Sequence, residues 1–151
     1  MIISFAGHSL VKGADRVKER VKEEIRKNLD ENRVVCYLGG YGDFDEICAR
    51  ACRELKKTNA NIELVYVAPY INISEQEKIK EMEREGFCDS SIYPPIENVP
   101  LKFAILKRNE WMMTSADMII AYVNHSWGGA YKSLQIARRK KKRIVNICES
   151  L

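Results

Sequence analysis

Three short loops of this 151-residue chain gather residues that could bind a phosphorylated ligand. Their sequences are AGHSLVKG from Ala6, GGYGDFDE from Gly39 and NHSWGGAY from Asn124, and together they hold both histidines and most glycines of the chain. Glycine has no Cβ, so the backbone can turn sharply and a ligand can approach its amides. A helix that follows such a loop points its first N–H groups at an anion. The pattern predicts a site of nucleotide size.

The candidate ligand-binding residues come from these loops and from one arginine of the segment before the third loop. They are Gly7, His8, Ser9, Gly39, Gly40, Tyr41, Gly42, Asp43, Asp45, Arg108, Asn124, His125, Ser126, Trp127, Gly128 and Gly129. Tyr41 and Trp127 stand beside glycines, where an aromatic ring could stack on a base. Each histidine could bond a ligand, take part in catalysis or cap a helix.

The carboxylates of the second loop allow two interpretations. Asp43 stands where a helix N-cap would be and Glu46 follows three residues later, as in a capping box, so the acids need no further function. Alternatively, they bond neutral donors such as ribose hydroxyls or a base amine. In an enzyme, Glu46 would protonate a leaving base, and Asp45 or Asp43 would stabilise the positive charge that develops on the sugar.

The hydrophobic pattern predicts the elements that position these loops. Short apolar runs predict strands, amphipathic stretches predict helices, and the proline-rich residues 88–100 predict an ordered loop with one short strand at most. The predicted strands cover residues 2–7, 33–40, 62–70, 117–124 and 143–150, and the predicted helices cover residues 13–32, 43–57, 73–87, 101–116 and 128–142.

Strands that are apolar throughout and alternate with helices indicate a parallel sheet that is covered on both faces. We therefore predict a Rossmann-like, doubly wound α/β fold, with a mostly parallel sheet of five or six strands, in a single domain over residues 1–151. Such sheets bind ligands beyond the carboxyl ends of their strands. All three loops should then meet on one rim.

The charge of the chain gives little indication of a polyanionic partner. The net charge is +4, and the run RRKKKR from Arg138 to Arg143 supplies more than all of it. These cations end a predicted helix, where they suit the helix dipole, so we interpret the run mainly as a solvated helix end. A patch for nucleic acid or an acidic partner is the alternative, and nucleic acid is not expected as a partner.

Cysteine usage and hydropathy favour a cytoplasmic protein. The five cysteines include no CxxC pair, which indicates free thiols in a reducing compartment. Cys36 and Cys148 fall in predicted buried strands, while Cys48 and Cys52 lack the further ligands that a zinc site needs. No apolar run is long enough to span a membrane, and no secretory signal is present, so no membrane association is expected. No metal and no cofactor are predicted.

The segments FAGHS, GGYGDFDE and LKRNEWMMTSADMIIAYVNHSWGGAYKSLQIARRKKKRIVNI resemble the SLOG superfamily, which groups the Smf/DprA domains with the LOG proteins. Within this superfamily, the chain is most similar to the YpsA-like proteins. Arg108 matches an arginine in a motif near the end of those proteins, and Phe44 and Asp45 match their Phe-Asp pair. The resemblance runs from Ile3 to Ile147 and is weakest across residues 70–100.

LOG enzymes release the base from nucleoside 5'-monophosphates and carry a Gly-Gly-x-Gly-Thr-x-x-Glu motif. Gly39, Gly40, Gly42 and Glu46 fit that spacing, but Asp43 replaces the threonine, and an ionised carboxylate only accepts hydrogen bonds and repels anions. The catalytic arginine of LOG enzymes has no clear counterpart. The resemblance implies a SLOG fold, a nucleotide-type ligand and, because LOG-type relatives pair through helices, a homodimer.

Two main hypotheses follow for function. The first is a module that senses or sequesters a nucleotide or a nucleotide-derived, ADP-ribose-like molecule at the carboxyl ends of the strands. The alternative is N-glycosidic hydrolysis of nucleoside 5'-monophosphates, with Glu46 as the acid. Nucleic-acid binding through Lys140 to Arg143, by analogy with the Smf/DprA relatives, is a third and weaker hypothesis.

Overall fold

The computed structural model describes residues 1–29 and 33–151, and its strands form one six-stranded sheet. The order across the sheet is β4-β3-β2-β1-β5-β6, and every neighbouring pair is parallel. The predicted Rossmann-like α/β fold is therefore confirmed. The strands are β1 (Ile2–Gly7), β2 (Val34–Leu38), β3 (Ile62–Val67), β4 (Ser90–Ile92), β5 (Met118–Tyr122) and β6 (Arg143–Asn146).

Helices cover both faces of the sheet. The helices are α1 (Ala14–Arg26), α2 (Asp43–Lys56), α3 (Ile73–Arg84), α4 (Ala104–Ser115) and α5 (Gly129–Arg139), with 3₁₀ turns at Leu101–Phe103 and Ile147–Ser150. Apolar residues of α1, α2 and α3 pack on one face, and those of α4 and α5 pack on the other. Met112 and Met113 of α4 are buried.

The path of the chain creates a switch point between β1 and β5. From β1 the chain moves outward through β2 and β3 to β4, and it then returns to place β5 on the other side of β1. Open α/β sheets bind ligands at this kind of reversal, beyond the carboxyl ends of the two central strands. The register pairs Gly7 with Tyr122, so the loops that follow β1 and β5 start side by side.

The ends of most elements differ from the predictions by a few residues, and three of them show why. Helix α1 ends at Arg26, and residues 30–32 of the predicted helix lie outside the described residues. Helix α5 ends at Arg139, three residues early. Strand β6 ends at Asn146, whose side chain accepts the N–H of Cys148 and starts a 3₁₀ turn. The prediction that Cys148 lies in a buried strand is wrong, because this half-buried residue belongs to the turn.

A Schellman turn ends α5 in the middle of the basic run. The N–H of Lys141 donates to the carbonyl of Arg138, and the N–H of Lys142 donates to the carbonyl of Ala137, both at 3.0 Å. Lys141 has a φ of 56°, in the left-handed region that this turn usually fills with glycine. A side chain in that conformation costs about 1 kcal/mol.

Across residues 1–29 and 33–151, the helices are all too short or too polar to cross a bilayer.

Candidate functional site

A cavity of about 370 Å³ opens at the switch point between β1 and β5. This volume lies at the lower end of the range for small-molecule sites. All three loops line the cavity, together with the start of α4, so the structure places them on one rim. The candidate residues that line it are Gly7, His8, Ser9, Tyr41, Asp45, Arg108, Asn124, His125, Trp127, Gly128 and Gly129.

Three stacked rings form one wall of this cavity. The ring centroids of His8 and His125 are 3.6 Å apart with planes inclined by 10°, and those of His125 and Trp127 are 3.8 Å apart and inclined by 21°. Trp127 is nevertheless 70% exposed. Because His125 covers one face of the indole, the opposite face is available to a planar ligand.

His8 connects the two central strand ends in its neutral form. Its backbone N–H donates to the carbonyl of Tyr122, and its Nε2 accepts the N–H of Asn124 at 3.0 Å. Burial, and next the neighbouring His125, lower the pKa of His8 below its ordinary value. A neutral His8 with an unprotonated Nε2 is the form that this hydrogen bond requires.

The first turn of α5 offers the best anion site on this rim. Gly128 precedes the helix with a φ of 90°, and no side chain among the described residues caps it. The first turn of α5 contains no acidic residue, whereas the first turn of α2 contains three, Asp43, Asp45 and Glu46. Helix N-termini attract anions, but carboxylates in the same turn oppose that attraction. An anion should therefore bind at α5 rather than at α2.

Asp43 joins the first two loops instead of capping α2. Its carboxylate Oδ2 accepts the N–H of Val11 at 3.0 Å, and its own N–H donates to the carbonyl of Ser9 at 2.9 Å. Gly42 is the N-cap residue, and among the described side chains none caps the helix. The capping-box interpretation of Asp43 and Glu46 is therefore wrong. A side chain at Gly42 would meet Ser9, because its Cβ would lie 2.8 Å from that residue's Cα.

A carboxyl group and a guanidinium group that line the cavity meet beside the buried Gly39. Asp45 accepts the N–H of Tyr41 at 3.0 Å, and burial raises the pKa of Asp45 to about 6, although this hydrogen bond and Arg108 oppose the rise. A Cβ on Gly39 would lie 3.0 Å from Asp45 Oδ2 and 3.6 Å from Arg108 Nη2. The two groups therefore face the same space, which the glycine leaves open.

Arg108 is held in place by backbone carbonyls. It is 2% exposed, and its Nη1 donates to the carbonyls of Gly39 at 3.0 Å and Val67 at 2.7 Å. Its Nε donates to Asn109 Oδ1 at 2.9 Å. Arg108 thus ties the ends of β2 and β3 to α4. Burial lowers the pKa of Arg108, while the nearby Tyr66 and Asp45 oppose that change.

Behind Arg108 lies a buried pair that sequence reasoning missed. Tyr66 Oη donates to Glu75 Oε1 at 2.5 Å, and both side chains are buried. Burial, followed by the hydrogen bond to Glu75, raises the pKa of Tyr66. The pair fixes the start of α3, in the segment where the resemblance is weakest, and no sequence motif marks it.

Sequence reasoning also missed three residues that line the cavity, Leu10, Ile105 and Asn109. Only Asn109 could have been found from the sequence, because it follows the candidate residue Arg108.

Of the remaining candidates, Gly39 is buried, and the others face two other clefts. Gly40, Gly42, Asp43 and Glu46 line a cleft of about 620 Å³ together with Arg53, Glu85 and Phe87. Ser126 lies on the far side of the third loop, in a cleft of about 360 Å³ that also touches Asn124 and His125. The two proposed catalytic carboxylates, Asp45 and Glu46, therefore open onto different clefts.

Comparison with known proteins identifies the fold. No family model and no curated protein matches the chain. Among solved structures, DNA processing protein A from Helicobacter pylori matches with a TM-score of 0.61 and 18% identity, over 95% of this chain and 63% of that one. DNA processing protein A from Streptococcus pneumoniae matches with a TM-score of 0.62 and 16% identity, over 94% and 48%. The chain thus spans less than two thirds of either protein.

These matches bear on two of the sequence-based expectations. Both neighbours are DNA processing protein A, from the Smf/DprA group of the SLOG superfamily, so the fold agrees with that part of the resemblance. The YpsA-like branch, the LOG relation and the homodimer stay predictions. The expectation from the charge of the chain that nucleic acid is not a partner is contradicted, because the Helicobacter pylori neighbour has a single-stranded DNA binding mode.

Proposed function

We propose that residues 1–151 act as a single binding domain for a nucleotide or a nucleotide-derived, ADP-ribose-like molecule, which the domain senses or sequesters. The ligand occupies the cavity at the switch point. The observation that carries this proposal is the convergence of three groups on one cavity: the uncapped start of α5, the Asp45–Arg108 pair and the open face of Trp127. These groups match the phosphate, the ribose and the base.

The phosphate binds at the first turn of α5. The amides that follow Gly128 supply N–H donors, and the helix dipole favours a negative charge there. A Cβ on Gly129 would have no atom of the described residues within 4 Å, so the approach to these amides is open.

The sugar and the base occupy the rest of the cavity. Ribose hydroxyls both donate and accept hydrogen bonds, and the Asp45–Arg108 pair offers an acceptor and a donor. The base stacks on the free face of Trp127, which is 70% exposed, or on Tyr41, which is 69% exposed. Stacking on an aromatic side chain is worth about 1–3 kcal/mol per base.

Differential scanning fluorimetry with AMP, ADP-ribose and a short single-stranded oligonucleotide tests this proposal. The oligonucleotide is included because the Helicobacter pylori neighbour binds single-stranded DNA, a polymer of such ligands. A ligand at about 100 times its Kd adds about 2.7 kcal/mol to the stability of the folded state. We expect a thermal upshift with at least one probe, and the loss of most of that shift in Trp127→Ala. No shift with any probe would contradict the proposal.

Hydrolysis of the N-glycosidic bond is a second candidate, favoured by one observation. Asp45 lines the cavity and has a pKa of about 6, close to what a general acid needs near neutral pH. In this reaction water adds to the sugar carbon as its bond to the base breaks, Asp45 gives its proton to the departing base, and the proton that the water loses restores the carboxyl group of Asp45. The reaction yields a free base and ribose 5-phosphate. Asp45 replaces Glu46 in the role of acid, because Glu46 opens onto the other cleft.

Chromatographic detection of free base separates the two candidates. Incubation with a panel of nucleoside 5'-monophosphates should release no base if the domain only binds. If the domain is an enzyme, release should be lost in Asp45→Asn and retained in Glu46→Gln. The opposite pattern would return the role of acid to Glu46.

A further inference from the structure

Arg108 is a buried cation whose hydrogen bonds leave its charge unbalanced. It is 2% exposed, and its guanidinium donates to two backbone carbonyls and to the amide oxygen of Asn109, all of which are neutral. Within residues 1–29 and 33–151, this guanidinium forms no direct ion pair. A buried charge is costly unless an opposite charge lies nearby. The fold therefore needs a carboxylate close to Arg108.

Two carboxyl groups lie near Arg108, one that lines the cavity and one that is buried behind it. Asp45 shares with Arg108 the space beside Gly39. Glu75 accepts the hydroxyl of Tyr66 and is 7% exposed. Burial lowers the pKa of Arg108, and both carboxyl groups are among the neighbours that oppose this change. The two groups are therefore the candidates for its counter-charge.

Glu75 lies where a negative charge is favoured. The Tyr66 hydroxyl donates to its Oε1 at 2.5 Å, a length typical of a hydrogen bond to an ionised carboxylate. Glu75 also belongs to the first turn of α3, where the helix dipole attracts an anion. Its N–H donates to the N-cap residue Asn72 at 2.9 Å, and Lys78 Nζ lies 3.4 Å from the Tyr66 hydroxyl. These contacts hold a carboxylate in a fixed position.

Asp45 is in the opposite situation. It accepts the N–H of Tyr41, and burial raises its pKa to about 6, although this bond and Arg108 oppose the rise. A carboxyl group that alone balanced a buried guanidinium would have a lowered pKa, because the opposite charge favours its ionised form. The charge of Arg108 is therefore balanced mainly by another group, and Glu75 is the other carboxylate that acts on it.

We propose that Glu75, held in place by Tyr66, is the counter-charge of Arg108 and that it leaves Asp45 free to carry a proton. When the charge of Glu75 is removed, Asp45 has to balance Arg108 instead, and it then gives up its proton at a lower pH. Repulsion between the two carboxylates acts in the same direction, because its loss also favours ionised Asp45.

The other titratable side chains around this cluster supply no competing negative charge. Among the described residues they are His8, Tyr41 and His125 on the side of the cavity, Cys48 of α2 and Lys78 of α3. The histidines and the lysine can only add positive charge. Burial raises the pKa of the Cys48 thiol well above its ordinary value, so this thiol stays neutral.

The consequence for the cavity rests on the proposed nucleotide site. A protonated Asp45 both donates and accepts hydrogen bonds, whereas an ionised Asp45 only accepts them and repels a phosphate. By balancing Arg108, Glu75 keeps the protonated form populated up to about pH 6. Glu75 touches no ligand itself, so it is a positioning residue that acts through Arg108 on Asp45.

The test follows the ionisation of Asp45 by ¹³C NMR, in protein labelled at the aspartate carboxyl carbons and without any ligand. The resonance that is missing from Asp45→Asn identifies Asp45. We expect its titration midpoint near pH 6 in wild type and lower by on the order of one pH unit in Glu75→Gln. Glutamine has the size of glutamate and keeps an acceptor for the Tyr66 hydroxyl, so this variant removes the charge and little else.

Glu77→Gln is the matched control for this titration. Glu77 is an exposed residue of the same helix, α3, and its substitution changes the net charge by the same amount. Water screens an exposed charge, so we expect the midpoint of Asp45 to stay where it is in wild type. A midpoint that moved equally in both variants would mean that only the net charge matters.

Urea unfolding at pH 5 and pH 8 separates the proposed role from a purely structural one. At pH 8 the ionised Asp45 replaces the charge that Glu75→Gln removes, whereas at pH 5 a protonated Asp45 leaves Arg108 unbalanced. We therefore expect this variant to lose more stability at pH 5 than at pH 8, each relative to wild type. Glu75→Asp alters the packing but keeps the charge, so its loss should be similar at the two pH values.

Three results would overturn the proposal. The first is a midpoint of Asp45 that is the same in wild type and Glu75→Gln. The second is a midpoint that Glu77→Gln lowers as much as Glu75→Gln does. The third is a loss of stability in Glu75→Gln that does not vary with pH, as expected if the residue only pins α3. Neither measurement includes a ligand, so a failure of the proposed nucleotide site would leave these results unchanged.

Discussion

His8 and His125 stack face to face, with ring centroids 3.6 Å apart and planes inclined by only 10°. Their loops follow β1 and β5, the two strands that flank the switch point. The hydrogen bond from the Asn124 N–H to His8 Nε2 holds the same two loops together. Protonation of His8 at Nε2 would remove that acceptor and place a charge against the second imidazole.

The first prediction concerns His8 and the pH dependence of stability. Burial and His125 lower the pKa of His8 below 6.5, so the unfolded chain binds the proton more readily than the folded protein does. The contribution of His8 to stability is complete above pH 6.5 and is lost as the pH falls below that value. In urea unfolding between pH 7.5 and 5, we expect wild type to lose more free energy of unfolding than His8→Gln. Equal losses would contradict this assignment.

The second prediction has the opposite sign and concerns Asp45. Its pKa is raised from 3.8 to about 6, so its protonated form stabilises the fold, and that contribution is lost as the pH rises through about 6. Asp45→Asn resembles the protonated state and retains an acceptor for the Tyr41 N–H. We expect the variant to gain stability relative to wild type as the pH rises from 4 to 8, by up to about 3 kcal/mol. Urea unfolding checks this, and a difference that does not vary with pH would contradict it.

The third prediction compares two glycines of the rim. A Cβ on Gly7 would lie 2.2 Å from the Phe44 ring, whereas one on Gly129 would have no described atom within 4 Å. We expect Gly7→Ala to destabilise the protein by at least about 3 kcal/mol, because Phe44 is fully buried and cannot move aside. Gly129→Ala should stay within about 0.5 kcal/mol of wild type. Thermal or urea unfolding gives both values, and similar losses for the two variants would show that the packing of Phe44 on Gly7 is not as described.

The sequence predicted the sheet and the common rim because these depend on pattern alone. Apolar strands that alternate with amphipathic helices leave few options other than a parallel sheet. Once the strands are parallel, the loops after Gly7, Leu38 and Tyr122 must lie on the same edge. The convergence of His8, Tyr41 and Trp127 on one cavity required no knowledge of side-chain positions.

The sequence could not predict how individual side chains are used within that rim. Asp45 and Glu46 are neighbours in the sequence, but a step of 100° around the helix directs them to different clefts. Asp43 bonds the N–H of Val11, 32 positions away, rather than the start of its own helix. Arg108 bonds the carbonyl of Gly39 across 69 positions. Such long-range partners follow from packing, which local patterns do not encode.

The most direct test of the account measures the fluorescence of Trp127 during titration with AMP and ADP-ribose. Trp127 is exposed, whereas Trp111, the other tryptophan, stacks on Tyr37 of β2, so Trp111→Phe leaves Trp127 as the reporter. Stacking of a base on the free indole face should quench this emission in a saturable way, and Gly128→Ala, which strains the φ of 90° at the phosphate site, should raise the Kd at least tenfold. Emission that stays constant with both ligands, in protein that remains folded, would contradict the proposed nucleotide site.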